Sequence, residues 1–254
     1  MGNGFLRIVQ LPVLVVCMLL AAGCMVRVGE FEVQLGDIDR VDIGETIVME
    51  YMRPLDDVER ATVGLRMAAG SLNLAGGAVD LMQASFEYNV AEWEPTIEYS
   101  AEGRVGNLQI EQPINVTISD GKAHNEWNLR LNQDVPMDLI VRLGAGDAQL
   151  DMRGMNLRQL KVQMGAGRVH VDLSGNWQKD FSVDIERGVG EAIILLPSEV
   201  GVRVAATSAL GEVILKDLDQ QGDFYINQAY GESDVTIDID VIGAVGSLRL
   251  EVVE

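Results

Sequence analysis

The sequence predicts an all-β, solenoid-like stack of two-stranded rungs, with a β-sandwich built from the same hairpins as the alternative. Three observations carry this prediction. A small-x-Gly triplet recurs along the chain, alternating apolar and polar residues flank its copies, and glycine is plentiful (27) where proline is scarce (6). Alternation with period two puts apolar side chains on one face of a strand, and glycine supplies the backbone freedom that a tight corner needs. No stretch has convincing helical spacing.

The triplets are Gly144-Ala145-Gly146, Gly165-Ala166-Gly167, Gly188-Val189-Gly190, Ala209-Leu210-Gly211, Ala229-Tyr230-Gly231 and Ala244-Val245-Gly246. Their final glycines are 21, 23, 21, 20 and 15 residues apart. Ala68-Ala69-Gly70 and Arg104-Val105-Gly106 are poorer copies upstream. Before a corner come Val162 and Met164, or Phe181, Val183 and Ile185; after one come Ala148, Leu150 and Met152, or Val169, Val171 and Leu173. A looser corner, such as Arg153-Gly154 or Ser174-Gly175, closes each unit of about 21 residues. One such unit cannot bury its own apolar face, whereas stacked units build a continuous core. Gly146, Gly167, Gly190, Gly211, Gly231 and Gly246 are therefore read as structural corners, each stacked on the next.

The N-terminal region has a different character. After Arg7 an apolar run leads to Ala21-Ala22-Gly23-Cys24, the arrangement of a secretory signal. The run is short and broken by Gln10 and Pro12, whereas a membrane span needs about 20 apolar residues. Ala-Ala-Gly-Cys resembles the lipobox of bacterial lipoproteins, which makes Cys24 the expected lipidation site. An uncleaved signal anchor is the alternative, because Ala21 stands where that pattern prefers leucine. Both readings place the body outside the cytoplasm, attached to the bacterial cell membrane. The expected organisation is a signal peptide at 1–23, a tether or N-terminal cap at 24–56, an N-terminal β part at 57–112 and the main repeat stack at 113–254.

Cysteine and charge exclude several function classes. The only cysteines are Cys17 and Cys24, so the mature body has no disulfide, no thiolate metal site and no cysteine nucleophile. Without residues 1–23 the chain carries 18 basic and 39 acidic groups, a net charge of −21. That disfavours nucleic acid and anionic lipid surfaces as partners.

Gly144-Ala145-Gly146-Asp147 through Asp151-Met152-Arg153-Gly154-Met155-Asn156-Leu157 resembles the bacterial toast-rack family. So do Gly165-Ala166-Gly167, Gly188-Val189-Gly190 and Asn227-Gln228-Ala229-Tyr230-Gly231-Glu232-Ser233-Asp234-Val235. Ala75-Gly76-Gly77-Ala78 and Phe86-Glu87-Tyr88-Asn89-Val90-Ala91-Glu92 match the family's N-terminal part, so the resemblance covers about residues 45–254. The family is similar to the C-terminal domain of the LiaF-like, cell wall-active antibiotics response proteins. The resemblance implies a β-stack on the outer face of the membrane, and it brings no catalytic residue with it.

Gly144-Ala145-Gly146-Asp147 lacks the third glycine and the following helix of a dinucleotide cradle: position 149 is Gln149. The residue after each final glycine is Asp147, Arg168, Glu191, Glu212, Glu232 or Ser247, too varied for an obligatory calcium ligand. Asp234, Asp238 and Asp240 are the weak candidates for a local oxygen-ligand cluster; their alternation with Ile237, Ile239 and Val241 equally describes a solvated strand face. His124 and His170 stand alone and read as surface groups. Trp93, Trp127, Trp177 and the tyrosines read as core filling, or as a carbohydrate platform. No cofactor is expected. The expected function is a non-enzymatic, membrane-anchored protein of adhesion, envelope organisation or envelope-stress signalling, working through protein contacts. A carbohydrate- or weak calcium-binding surface module is the alternative. The expected partners are the membrane through the lipid anchor, an envelope protein or glycan, and a second copy through free edge strands.

Overall fold

A computed structural model describes residues 43–113 and 122–253. The signal segment, Cys24 and most of the proposed tether lie outside the described residues. The fold is all-β, and among the described residues fifteen strands join one hydrogen-bonded network. They are β1 (Ile43–Arg53), β2 (Arg60–Ala78), β3 (Met82–Val90), β4 (Thr96–Glu102), β5 (Val105–Glu111), β6 (Asn125–Asn132), β7 (Met137–Asp151) and β8 (Leu157–Asp172). Then follow β9 (Phe181–Pro197), β10 (Gly201–Leu210), β11 (Val213–Lys216), β12 (Asp219–Gln221), β13 (Phe224–Ile226), β14 (Thr236–Val245) and β15 (Leu248–Val253). Among the described residues the only helical segment is a three-residue 3-10 turn, Ala91–Trp93.

A rung consists of two arms joined at a glycine corner. In β2, β7, β8 and β9 the hydrogen-bonded strand runs unbroken through the corner, which accounts for lengths of 15 to 19 residues. In β14–β15 and β10–β11 the corner interrupts the strand. The first arms pair in the order β4-β5-β2-β7-β8-β9-β14-β10-β13-β12, and the second arms in the order β1-β3-β6-β2-β7-β8-β9-β15-β11. From β2 to β10 the stack is parallel; antiparallel pairs occur only towards its ends.

The rungs do not follow sequence order throughout. β7, β8 and β9 stack consecutively, but β10–β11 leaves one place vacant beside β9, and β14–β15 returns to fill it with parallel partners on both sides. At the other end, β5 and β6 lie on the far side of β2 from β7. The last rung in sequence is thus buried between two neighbours, which keeps it from standing as an open edge. The core lies between the two layers of arms. Leu139, Val141 and Leu143 point into it from one arm of β7, and Ala148 and Leu150 from the other, followed by Met152 just past the strand, all at most 2% exposed.

The corners stack directly on one another. Gly70, Gly146, Gly167, Gly190, Gly246 and Gly211 adopt φ between 126° and 144°. A Cβ added to Gly146 would lie 1.8 Å from the carbonyl oxygen of Gly70, and the same distance separates Gly167 from Gly146, Gly190 from Gly167, Gly246 from Gly190 and Gly211 from Gly246. Backbone therefore lies against backbone along the whole column. Gly231 is not in it: it sits in the turn before β14, at φ 85° with nothing within 4 Å of an added Cβ. The expectation of a stacked corner there is corrected. Ala229-Tyr230-Gly231 copies the triplet, but its residues cap a turn, with Glu232 N and Ser233 N donating to Ala229 O.

Candidate functional site

The second-arm sheet turns an unusually polar face outward. Every second residue of a strand projects from the same side, and register aligns such residues across neighbouring strands. One row crosses six strands as Glu50, Ser85, Asn128, Asn73, Gln149 and His170. Beside it runs a second row of Gln83, Arg130, Ala75, Asp151 and Asp172. Ala75 has almost no side chain, so the rows enclose an open trough of about 630 Å³ lined by amides, carboxylates, Arg130, Arg153 and His170.

Hydrogen bonds order much of this face. Asn73 Nδ2 donates to Asn128 Oδ1 at 2.8 Å, and Asn128 Nδ2 to Glu126 Oε1 at 3.0 Å. His170 Nδ1 lies 2.9 Å from Gln149 Oε1, leaving its Nε2 without a partner. Arg153 Nε and Nη2 grip Asp151 at 2.8 and 2.6 Å, and Arg153 also lies 3.4 Å from Asp172. The hydrogen bond from Arg153 holds the Asp151 carboxyl below the usual carboxylate range. At the corner the Arg168 guanidinium takes both oxygens of Asp147 one rung away, at 2.9 and 3.0 Å, and lowers that carboxyl too. This face can offer fixed hydrogen-bond donors and acceptors to a polar surface; Asp151 and Asp172 are engaged by Arg153, and Glu126 by the asparagine amides.

A second depression follows the outer side of the glycine column on the first arms. Ala68, Gly144, Gly165 and Gly188 leave a groove of about 850 Å³ beside Arg66, Arg142, Gln163, Glu186 and Ile242. Arg142 Nε donates to Gln163 Oε1 at 3.0 Å, and Gln163 Nε2 to Glu186 Oε2 at 2.7 Å. Glu186 is held below the carboxylate range by that bond and by Lys161.

The residues singled out from the sequence fall in several places. Asp238 Oδ1 accepts from Arg203 Nε at 2.7 Å; Asp240 lies in register with Asp184 on β9; Asp234 precedes β14. Among the described residues no three His, Cys, Asp or Glu side chains are grouped to hold a metal ion. His124 lies in the loop before β6. Trp93, Trp127, Trp177 and Tyr88 are at most 5% exposed and fill the core, so they form no aromatic platform. Burial pushes the Tyr88 phenol up, and Glu94 adds to the shift. The polar row is not visible in the sequence, because its six members come from strands scattered over 120 residues and only register unites them.

The comparisons agree with this architecture. Residues 28–195 match the model of the N-terminal domain of toast_rack, DUF2154. Among solved structures, a candidate cell adhesion protein from Clostridium sporogenes is 32% identical, with a TM-score of 0.80 over 82% of this chain and 100% of that one. Candidate adhesins from Bacteroides fragilis (8% identity, 82% and 97% covered, TM-score 0.28) and Parabacteroides merdae (10%, 83% and 97%, 0.26) are far more distant. No curated protein matches the chain. Among the described residues no helix is long and apolar enough to cross a membrane. By the family match and by its relation to the Clostridium structure, this chain belongs to the toast-rack family.

Proposed function

We propose that this protein is a non-enzymatic adhesion module of the bacterial envelope, held at the membrane by a lipid on Cys24, and that the polar second-arm face is its contact surface. The observation that carries the reading is the relation to the Clostridium sporogenes candidate cell adhesion protein, which this chain covers from end to end at 32% identity. The row from Glu50 to His170 supports it, since a rigid β-stack presents ordered amides without having to freeze a loop on binding. The test compares attachment of cells producing the wild-type protein with cells producing Gln149→Arg, which places a bulky charge at the centre of the row. Attachment should fall several-fold with the variant at equal surface abundance. Equal attachment by both, and by cells lacking the protein, would sink the reading. Incorporation of a labelled fatty acid should be lost in Cys24→Ala; retained labelling would remove the anchor from the proposal.

A further inference from the structure

Arg187 is among the residues lining the groove beside the glycine column and has no part in the polar face. It points inward from β9 immediately before the corner and is 5% exposed. Register places it in the interior column Met67, Leu143, Met164, Arg187, Gly243 and Ser208. Three rungs fill this position with an apolar side chain. The next three carry a guanidinium, no side chain at all, and a hydroxyl.

The guanidinium lies across Gly243, where an added Cβ would come within 2.9 Å of Cζ, Nε and Nη2. On the second arm, the first inward-facing β9 residue past the corner is only Ala192, itself fully buried. Arg187 Nη1 donates to Gly190 O at 2.8 Å and to Val245 O at 3.4 Å, tying two successive corners together. Nε and Nη2 donate to nothing, and Ser208 Oγ, one rung beyond Gly243, is also buried without a partner. Among the described residues no carboxylate lies within ion-pair distance of Arg187. Burial lowers its pKa, yet a guanidinium stays protonated at any physiological pH. A buried charge with no counter-charge is strongly disfavoured, and buried donors without acceptors add to the penalty.

We propose that Arg187 and Ser208 hold a small monovalent anion of the halide class inside the corner between β9, β14 and β10, with Nε, Nη2 and Oγ as its donors. One positive charge is neutralised by one negative charge, so a monovalent ion fits and a divalent oxyanion would leave a buried excess. Ser208 is the register partner of Gly243, against which the guanidinium rests, so its buried Oγ stands one strand along the same column from the free guanidinium donors. The ion completes the interior column where β14–β15 enters out of sequence order, and this role is independent of the adhesion reading.

Thermal unfolding of the full chain at constant ionic strength, in sodium gluconate and in sodium chloride or bromide, tests the site. A ligand that binds only the folded state raises the midpoint. The wild type should therefore gain several degrees in halide over the bulky gluconate, and half of the gain should be reached at a defined halide concentration. Arg187→Met restores the residue type of the column and should lose the halide-specific gain; Ser208→Ala should shift half-saturation to several-fold higher halide. An anomalous bromide peak beside Arg187 in wild-type crystals would locate the ion and does not depend on any variant folding. An identical halide gain in wild type and Arg187→Met, or water at that position in bromide crystals, overturns the proposal.

Discussion

At Gly146 two demands coincide, a positive φ of 132° and a carbonyl oxygen 1.8 Å from where a Cβ would stand. Gly154 shares only the first, at φ 71° with open space around it. The pair separates conformational strain from the cost of stacking. Gly154→Ala should cost about 1 kcal/mol, as for an ordinary residue held at positive φ. Gly146→Ala should cost at least about 3 kcal/mol, because the backbone of Gly70 cannot yield without breaking the sheet. Urea unfolding of both variants measures the difference, and equal costs would refute the stacked column. Asn227 makes a second residue-scale case. It is 3% exposed; its Nδ2 donates to Pro197 O and Val200 O, and its Oδ1 accepts from Val202 N. Asn227→Leu leaves those three groups unpaired and should lower stability by about 3 kcal/mol in the same experiment. The sequence marked this asparagine only as part of a family motif, since nothing local reveals that it bridges β9 and β10.

Among the elements, β14–β15 matters more than its late position suggests. It supplies the parallel partner of β9 on one side and of β10–β11 on the other. Ending the chain after Asp234 would expose two long strand edges at once, and unpaired edges template association. The truncated chain should elute as aggregates and lose its cooperative unfolding transition, as size-exclusion chromatography and circular dichroism would show; a monomeric, cooperatively folding product would contradict the insertion. Strand identity and inward-facing residues were legible in the sequence for β7, β8 and β9, because alternation there is clean on both sides of the corner. The order of the rungs was not legible. Ala244-Val245-Gly246 and Ala209-Leu210-Gly211 look alike as text, and only pairing shows which of them lies against Gly190.

For the whole molecule, the charge balance sets the response to pH. The chain carries a net charge of −20, and several surface carboxylates are engaged by neighbouring bases. Asp147, Asp151, Glu186 and Glu251 are each held below the usual range, chiefly by hydrogen bonds from Arg168, Arg153, Gln163 and Lys216 respectively. A carboxyl lowered in the folded state stabilises it above the unfolded pKa, and that contribution is lost as pH falls through the folded value. The unfolding midpoint should therefore change little from neutral pH down to about pH 5, then fall below about pH 4. A thermal denaturation series across that range tests this; a midpoint that rises on acidification below pH 4 would mean that relief of negative repulsion outweighs the ion pairs.

The sequence by itself determined the all-β class, the repeating rung, the glycine corners of β7, β8 and β9, and the family. All of these follow from local periodicity and from backbone conformations that only glycine adopts readily. The tertiary structure alone decided that Gly231 lies outside the column while Gly70 lies within it, and that the chain's last rung fills a place left earlier. It also brought six distant polar residues into one row and left Arg187 buried with no counter-charge among the described residues. Those outcomes depend on which strands lie side by side, a long-range choice made by hydrogen-bond pairing and burial that no short window of residues encodes.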